Sequence, residues 1–504
     1  MFKPHHVTIG VGAPTFEDVV AVARHNAPVQ LAPEALTAIE QTRAVIDALA
    51  VDSTPHYGVS TGFGALATRH IPTDKRIQLQ RSLIRSHAAG SGPEVDREVV
   101  RALMFLRLST LATGRTGVRP ETATAYARML SDNLTPVVHE YGSLGCSGDL
   151  APLAHCALAL IGEGPVRDAE GNLTTVSDAV TLHEKEGLAL INGTDGMLGM
   201  LVLAIHDLRC LLTTADITAA MSVEGLLGTD RVFAADLHAL RPQDGQQASA
   251  ANIRALLAGS PIVASHRGPE DTRVQDAYSL RCAPQVAGAA RDTLAHATHV
   301  AQRELASAID NPVVTEDGRV ESNGNFHGAP IAYVLDFLAI AAADVASMAE
   351  RRTDRFLDVA RSHGLPAFLA DDPGVDSGYM IAQYTQAALV SEMKRLAVPA
   401  SVDSIPSSAM QEDHVSMGWS AARKLRTAVD ALAQVLAIEL LTAARGIQLR
   451  VPLAPSPATG AVIDALNIQP GPDRFLAPEI AAATDFVKSG GARSAAEAIT
   501  GELA

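Results

Sequence analysis

At 504 residues the chain exceeds one ordinary core, so it folds either as two large regions or as one elongated helical body. Its formal net charge of −16 argues against nucleic acid and anionic membrane surfaces as partners, since both reward clustered Lys and Arg. Four cysteines without Cys-x-x-Cys spacing, and a start with neither an apolar core nor an export cleavage site, predict a soluble, disulfide-free cytoplasmic protein acting on a small ligand.

Residues 1–197 read as a mixed domain in which Gly-rich loops separate short apolar segments, and residues 198–504 as a mostly helical bundle; the composition changes near Asn192-Gly193-Thr194. The expected fold class is mainly α. Within the first region, Gly58-Val59-Ser60-Thr61-Gly62 fits the Gly-x-Ser-x-Gly nucleophile elbow, but Asp52 to His56 before it is no buried strand, and the elbow requires strand, turn and helix. Gly62 to Ala67 fits a loose dinucleotide fingerprint with the same strand missing. The apolar run Met197 to Leu212 contains His206, Asp207 and Arg209 and reads as too short and too charged to span a bilayer. Pro284 to Ile309, Ile331 to His363 and Ala421 to Ile447 predict helices, because apolar residues recur every three to four positions and breakers are almost absent. The second would exceed about 40 Å at about 1.5 Å per residue. Helices of that length with Ala-rich faces invite packing against partner subunits, which predicts an oligomer. His296 and His299 lie one turn apart without a third ligand and read as a solvated face, so no metal is expected.

The chemistry concentrates in Gly142 to His155, around Cys146-Ser147-Gly148. Attack of the Gly148 nitrogen on the Cys146 carbonyl carbon closes a five-membered ring, and dehydration with loss of the Ser147 hydroxyl leaves an exocyclic methylidene. A residue without a Cβ brings that nitrogen round most easily, and Asp149 could move protons during the dehydrations. The plain structural alternative is a Gly/Ser turn entering a helix, with Ser147 or Asp149 as N-cap and Pro152 in the first turn.

The whole fourteen-residue run resembles the signature of the aromatic amino-acid ammonia-lyases, which carry a methylidene-imidazolone formed from Ala-Ser-Gly. The resemblance continues in family order through Tyr57 to Gly64, Ser86 to Gly90, Lys185 to Thr194, Gln275 to Arg281, Gly324 to His327 and Gln411 to Met417. It implies a 4-methylidene-imidazol-5-one formed autocatalytically from Cys146-Ser147-Gly148, with no external cofactor. Cys146 stands in place of the usual Ala, at a position that contributes only its carbonyl and Cα to the ring. The resemblance further implies Tyr57 as the base for the β-hydrogen, which requires a stabilised phenolate. Arg281 would clamp the substrate carboxylate in bidentate fashion. Asn192, Gln275 and Tyr278 would line the same pocket, and Phe326 would pack near the ring. Ser60 stands where many relatives have Asn. Relatives form tetramers with sites built from several chains, which implies a homotetramer of long-helix bundles here.

Histidine-specific members of that family carry the His, Met and Glu matched by His87, Met380 and Glu412. A carboxylate at Glu412 suits an imidazole, which can donate from nitrogen, and would be desolvated without a partner beside a phenyl ring. The expected reaction is loss of ammonia from L-histidine to give trans-urocanate. The alternatives are a tyrosine or phenylalanine ammonia-lyase or aminomutase on the same scaffold, and a non-catalytic helical scaffold.

Overall fold

The computed structural model describes residues 6–52, 54–62, 68–269, 271 and 274–504. The fold is mainly α, as expected. The chain divides into two compact units, one of residues 1–203, 298–336 and 399–423, the other of residues 204–297, 337–398 and 424–504.

In the first unit the strands are short. Val7–Ile9 pairs in parallel with Val29–Leu31, Ser91–Glu94 pairs antiparallel with His139–Tyr141, and Val166–Arg167 joins Thr135–Pro136 to Leu173–Thr174. The organising element is the helix Arg97–Ala112, in which every residue from Val99 onward is buried. A helix apolar on all sides belongs in a core. Its two buried arginines tie distant segments together, because a guanidinium has five N–H groups to spend on otherwise unpaired carbonyls. Arg101 donates to the carbonyls of Val22 and Leu130 at 2.9 and 3.2 Å. Arg107 donates to Ala189, Asn192 and Ile309 at 3.0, 2.8 and 3.2 Å and pairs with Asp195 at 2.8 Å. Nearby, Lys185 and Asp310, both fully buried, pair at 2.5 Å.

In the second unit, Glu439 has no exposed side-chain surface and accepts from Arg352 at 2.5 and 3.0 Å and from Ser222 at 2.8 Å. That cluster joins the helices Asp195–Gly225, Ala329–Leu357 and Gly418–Gln448 through side chains of their residues in this unit.

The three expected helices are present with shifted ends. The first spans Ala283–Leu305 rather than reaching Ile309. Its last expected turn is given up where Ile309 meets Arg107 and Asp310 meets Lys185. The second stops at Leu357 rather than His363. Asp358 there accepts from the Ala360 N–H and from Arg361, and Arg450 takes the carbonyls of Ser362 and His363 at 2.7 and 2.8 Å. The third runs over Gly418–Gln448. Met197 to Leu212 proves to be part of a 31-residue helix, Asp195–Gly225, so shortness is not what distinguishes it from a span. By length and composition alone this helix, Ala329–Leu357 and Gly418–Gln448 could each cross a membrane; 78%, 61% and 83% of their most apolar windows are buried inside the chain.

Candidate active site

The turn carrying Cys146-Ser147-Gly148 precedes the helix Leu150–Leu160 and touches the segment held by Arg107. Gly148 has φ +76, and a Cβ there would lie 2.0 Å from the Gly193 carbonyl oxygen. Only glycine allows that approach. Gly193 is itself confined from its other side, where a Cβ would lie 2.0 Å from Arg107 Nη2. The Asp149 N–H closes the contact by donating to the Gly193 carbonyl at 2.7 Å. From the other side, Ser416 donates its hydroxyl to the Gly145 carbonyl at 2.7 Å, and the Met417 N–H donates to Leu144 at 2.8 Å.

Asp149 is fully buried and occupies the N-cap position of Leu150–Leu160, yet its side chain does not cap that helix. Its Oδ2 instead accepts from the Gly196 and Met197 N–H groups, both at 2.9 Å, in the first turn of Asp195–Gly225, while Ser143 donates to Oδ1 at 2.8 Å. The sequence alternative of a Ser147 or Asp149 side-chain cap on the following helix is thereby corrected: Asp149 binds the orphan donors of a different helix. Burial pushes its carboxyl up to about 7, against the pull of these hydrogen bonds.

Glu412 reaches this turn from the far end of the sequence. Its Oε1 accepts from Ser147 Oγ at 3.1 Å; its Oε2 accepts from Cys146 Sγ and from Ser407 Oγ, both at 3.0 Å. A two-way backbone pairing of Ser407 with Glu412, at 2.9 and 3.3 Å, sets the carboxylate. Between them Ser408, Ala409 and Met410 hold φ values of 52, 53 and 68, a left-handed run that non-glycine residues adopt at a cost of about 1–2 kcal/mol each. Burial, with Glu412 beside it, pushes the Cys146 thiol up to about 12.

His87 ends the helix Arg76–His87, its Nδ1 2.9 Å from the Leu83 carbonyl and 3.1 Å from Ser86 Oγ. Burial lowers its pKa, against the Leu83 hydrogen bond and the charge of Glu412, so the ring is neutral at pH 7. With Nδ1–H on Leu83, Nε2 is left as an acceptor. Asn192 is buried at the C-terminal end of Glu186–Ile191, its carbonyl held by Arg107. Tyr57 and Phe326 are half-buried in loops of the same unit. Ser60, fully buried, accepts from the His56 N–H at 2.9 Å and so braces the Tyr57 turn. Phe63 and Gly64 of the matched run, and residues 63–67 of the loose dinucleotide fingerprint, lie outside the described residues.

Gln275, Tyr278, Arg281 and Met380 belong to the second unit. Tyr278 and Arg281 open and close a one-turn helix, with the guanidinium 4.6 Å from the Tyr278 ring centroid and its Nε donating to the Asp276 carbonyl at 2.9 Å. Gln275 is exposed, and Tyr278 is 70% exposed. Met380 opens the helix Met380–Leu396 and is half-buried. Direct hydrogen bonding therefore joins Cys146 and Ser147 to Glu412, with His87 within electrostatic range, whereas Gln275, Tyr278, Arg281 and Met380 stand on other elements.

The family description "Aromatic amino acid lyase" matches residues 15–467. The chain belongs to the aromatic amino acid lyase family. A histidine ammonia-lyase of Streptomyces avermitilis is 66% identical to it over 99% of this chain and 100% of its own length. A histidine ammonia-lyase of Anaeromyxobacter sp. is 47% identical over 95% and 97%. Among solved structures, tyrosine aminomutase from Streptomyces globisporus superposes with a TM-score of 0.94 at 36% identity, covering 99% of this chain and all of its own. Histidine ammonia-lyase from Trypanosoma cruzi gives 0.90 at 36% identity over 98% and 96%.

Three features of this aromatic amino acid lyase escaped sequence reading: Ser407 on the Glu412 carboxylate, the Arg107–Asp195 pair behind Asn192, and the helix capped by Asp149. Arg107 sits inside an apolar helical run, and a charged residue in an otherwise buried pattern was the available signal, since such a charge demands a partner.

Proposed function

We propose that this lyase eliminates ammonia from L-histidine to give trans-urocanate, the first step of histidine breakdown, as a cytoplasmic homotetramer whose sites draw on several subunits. The observation that carries the substrate is Glu412, whose carboxylate stands 3.0 and 3.1 Å from the Cys146 and Ser147 side chains. An imidazole N–H can donate to it; a phenyl ring would leave it desolvated and unpaired. The identity to histidine ammonia-lyases supports the same substrate.

Cys146-Ser147-Gly148 fit a 4-methylidene-imidazol-5-one: position 148 tolerates no Cβ, its turn is gripped from both sides, and the Ser147 hydroxyl has an acceptor in Glu412. Once formed, that ring supplies the electrophile that activates the substrate for loss of its amine. The residues around it do the rest. Tyr57 takes the β-proton of histidine. Arg281, oriented by Asp276 and Tyr278, binds the carboxylate, with Asn192, Gln275 and Tyr278 completing the pocket for the carboxylate and amine. His87, Met380 and Glu412 hold the imidazole, and Phe326 packs beside the ring.

An aryl substrate is the competing reading, favoured by the likeness to tyrosine aminomutase. Separate incubation with L-histidine, L-tyrosine and L-phenylalanine, followed by near-ultraviolet absorbance, decides between them, because each elimination creates a double bond conjugated with the ring. Growth is expected with histidine. Growth with tyrosine or phenylalanine alone overturns the substrate, and silence on all three favours a non-catalytic scaffold.

A further inference from the structure

Cys146 is where this chain departs from Ala-Ser-Gly, and its thiol has a defined partner. Among the described residues three side chains donate to Glu412: Ser147 to Oε1, and Cys146 and Ser407 to Oε2. Ring formation removes one of them. Closure of the Gly148 nitrogen on the Cys146 carbonyl carbon expels that carbonyl oxygen as one water with the Gly148 and Ser147 amide hydrogens; Ser147 then loses its Oγ together with the hydrogen of its own Cα, a Cα=Cβ double bond forms, and a second water leaves. The Cys146 side chain takes no part in bond making and remains.

We propose that the Cys146 thiol is a positioning residue for histidine: with Ser407 it holds Oε2 of Glu412, so that Oε1, vacated by the Ser147 hydroxyl, becomes the open acceptor for the substrate imidazole. This inference rests on the reading that residues 146–148 cyclise. Before cyclisation the acceptor is filled from within the chain; afterwards it is free, so maturation opens the imidazole subsite. Burial keeps the thiol protonated at neutral pH, and it stays a donor. With alanine in its place, Ser407 alone orients the carboxylate, and a carboxylate free to turn spends binding energy on being ordered.

Two measurements test this. Cys146→Ala and Cys146→Ser are compared with the parent for intact mass and for kinetics on L-histidine. All three are expected to show loss of two waters; KM rises roughly 5- to 10-fold in Cys146→Ala, with a smaller change in kcat, and Cys146→Ser restores it, as expected for the loss of a weak thiol donor that acts only by holding the carboxylate. Separately, Ser147→Ala has no hydroxyl to lose, cannot form the methylidene, and frees Oε1 directly. Imidazole binding to Ser147→Ala, by calorimetry, is expected to weaken roughly 5- to 10-fold when Cys146→Ala is added. Unchanged KM in Cys146→Ala, equal imidazole affinity in the calorimetric pair, or incomplete loss of water in Cys146→Ala each overturns the role assigned to the thiol. A parent mass without loss of two waters strikes instead at the cyclisation reading, and the calorimetric pair still judges the thiol.

Discussion

Glu412 and Asp149 are two carboxylates close to one turn, and their surroundings give them different work. Glu412 is surrounded by side-chain donors and, in the proposed reaction, accepts from an imidazole. Glu412→Ala should therefore lower kcat/KM for L-histidine between roughly 10- and 100-fold, the worth of a hydrogen bond to a charged group. Any activity on aryl substrates should fall far less; an equal loss on all of them would falsify the specificity assignment. Asp149 faces backbone N–H groups in a dry site, and burial lifts its carboxyl from an ordinary value near 3.8 to about 7. A carboxyl raised on folding binds more protons in the folded than in the unfolded chain between those two values. Its contribution is thus full below about pH 4 and is lost as pH rises to about 7. Thermal unfolding over that window should show the advantage of the parent over Asp149→Asn shrinking as pH rises; an advantage that grows with pH would refute the assignment. Cys146, Ser147 and Gly148 were legible in sequence as candidates because the proposed ring chemistry needs consecutive residues of particular types. Ser407 was not, because a serine five residues from a glutamate carries no pattern.

Elements show where local rules stop. The 3.6-residue period identified three long helices, but their ends were decided by remote partners: Arg107 and Lys185 on residues 309 and 310, Arg450 on residues 362 and 363. The fourth, Asp195–Gly225, reads from sequence as an apolar run rather than as a 31-residue helix, since a helix buried on most sides loses the amphipathic stripe that periodicity detects. Glu439 and Arg352 lie within two of these helices, and a buried pair costs most when halved. Arg352→Met should lower stability by about 3–5 kcal/mol, and Arg352→Met with Glu439→Leu should recover most of it, both read from urea unfolding midpoints. A single variant as stable as the parent would mean the pair is solvated in solution.

At the scale of the molecule, contiguous stretches of sequence are the wrong unit. Residues 298–336 and 399–423 group with 1–203, a division that no single cut, such as the one proposed after residue 197, can express. The proposed tetramer draws support from apolar side chains left exposed on the second-unit part of Ala329–Leu357, where Phe337 and Ile340 keep 45% and 46% of their surface. Large apolar groups spaced along one helix mark an interaction face. Sedimentation should give the mass of four chains for the parent and smaller species for Phe337→Glu with Ile340→Glu. A monomeric parent would remove the shared-site reading.

The sequence by itself determined the helical class and singled out the turn and the residue types of the proposed reaction, because periodicity and consecutive chemistry are local properties of a chain. Tertiary structure alone decided that Glu412, 265 residues from Ser147, lies 3.1 Å from its hydroxyl, and that Asp149 caps a helix beginning at Asp195. It also decided that Arg107 holds the Asn192 backbone in place. Those are hydrogen bonds between segments that meet only after the core has closed. Their donors and acceptors are common residues, distinguished by what folding brings within reach.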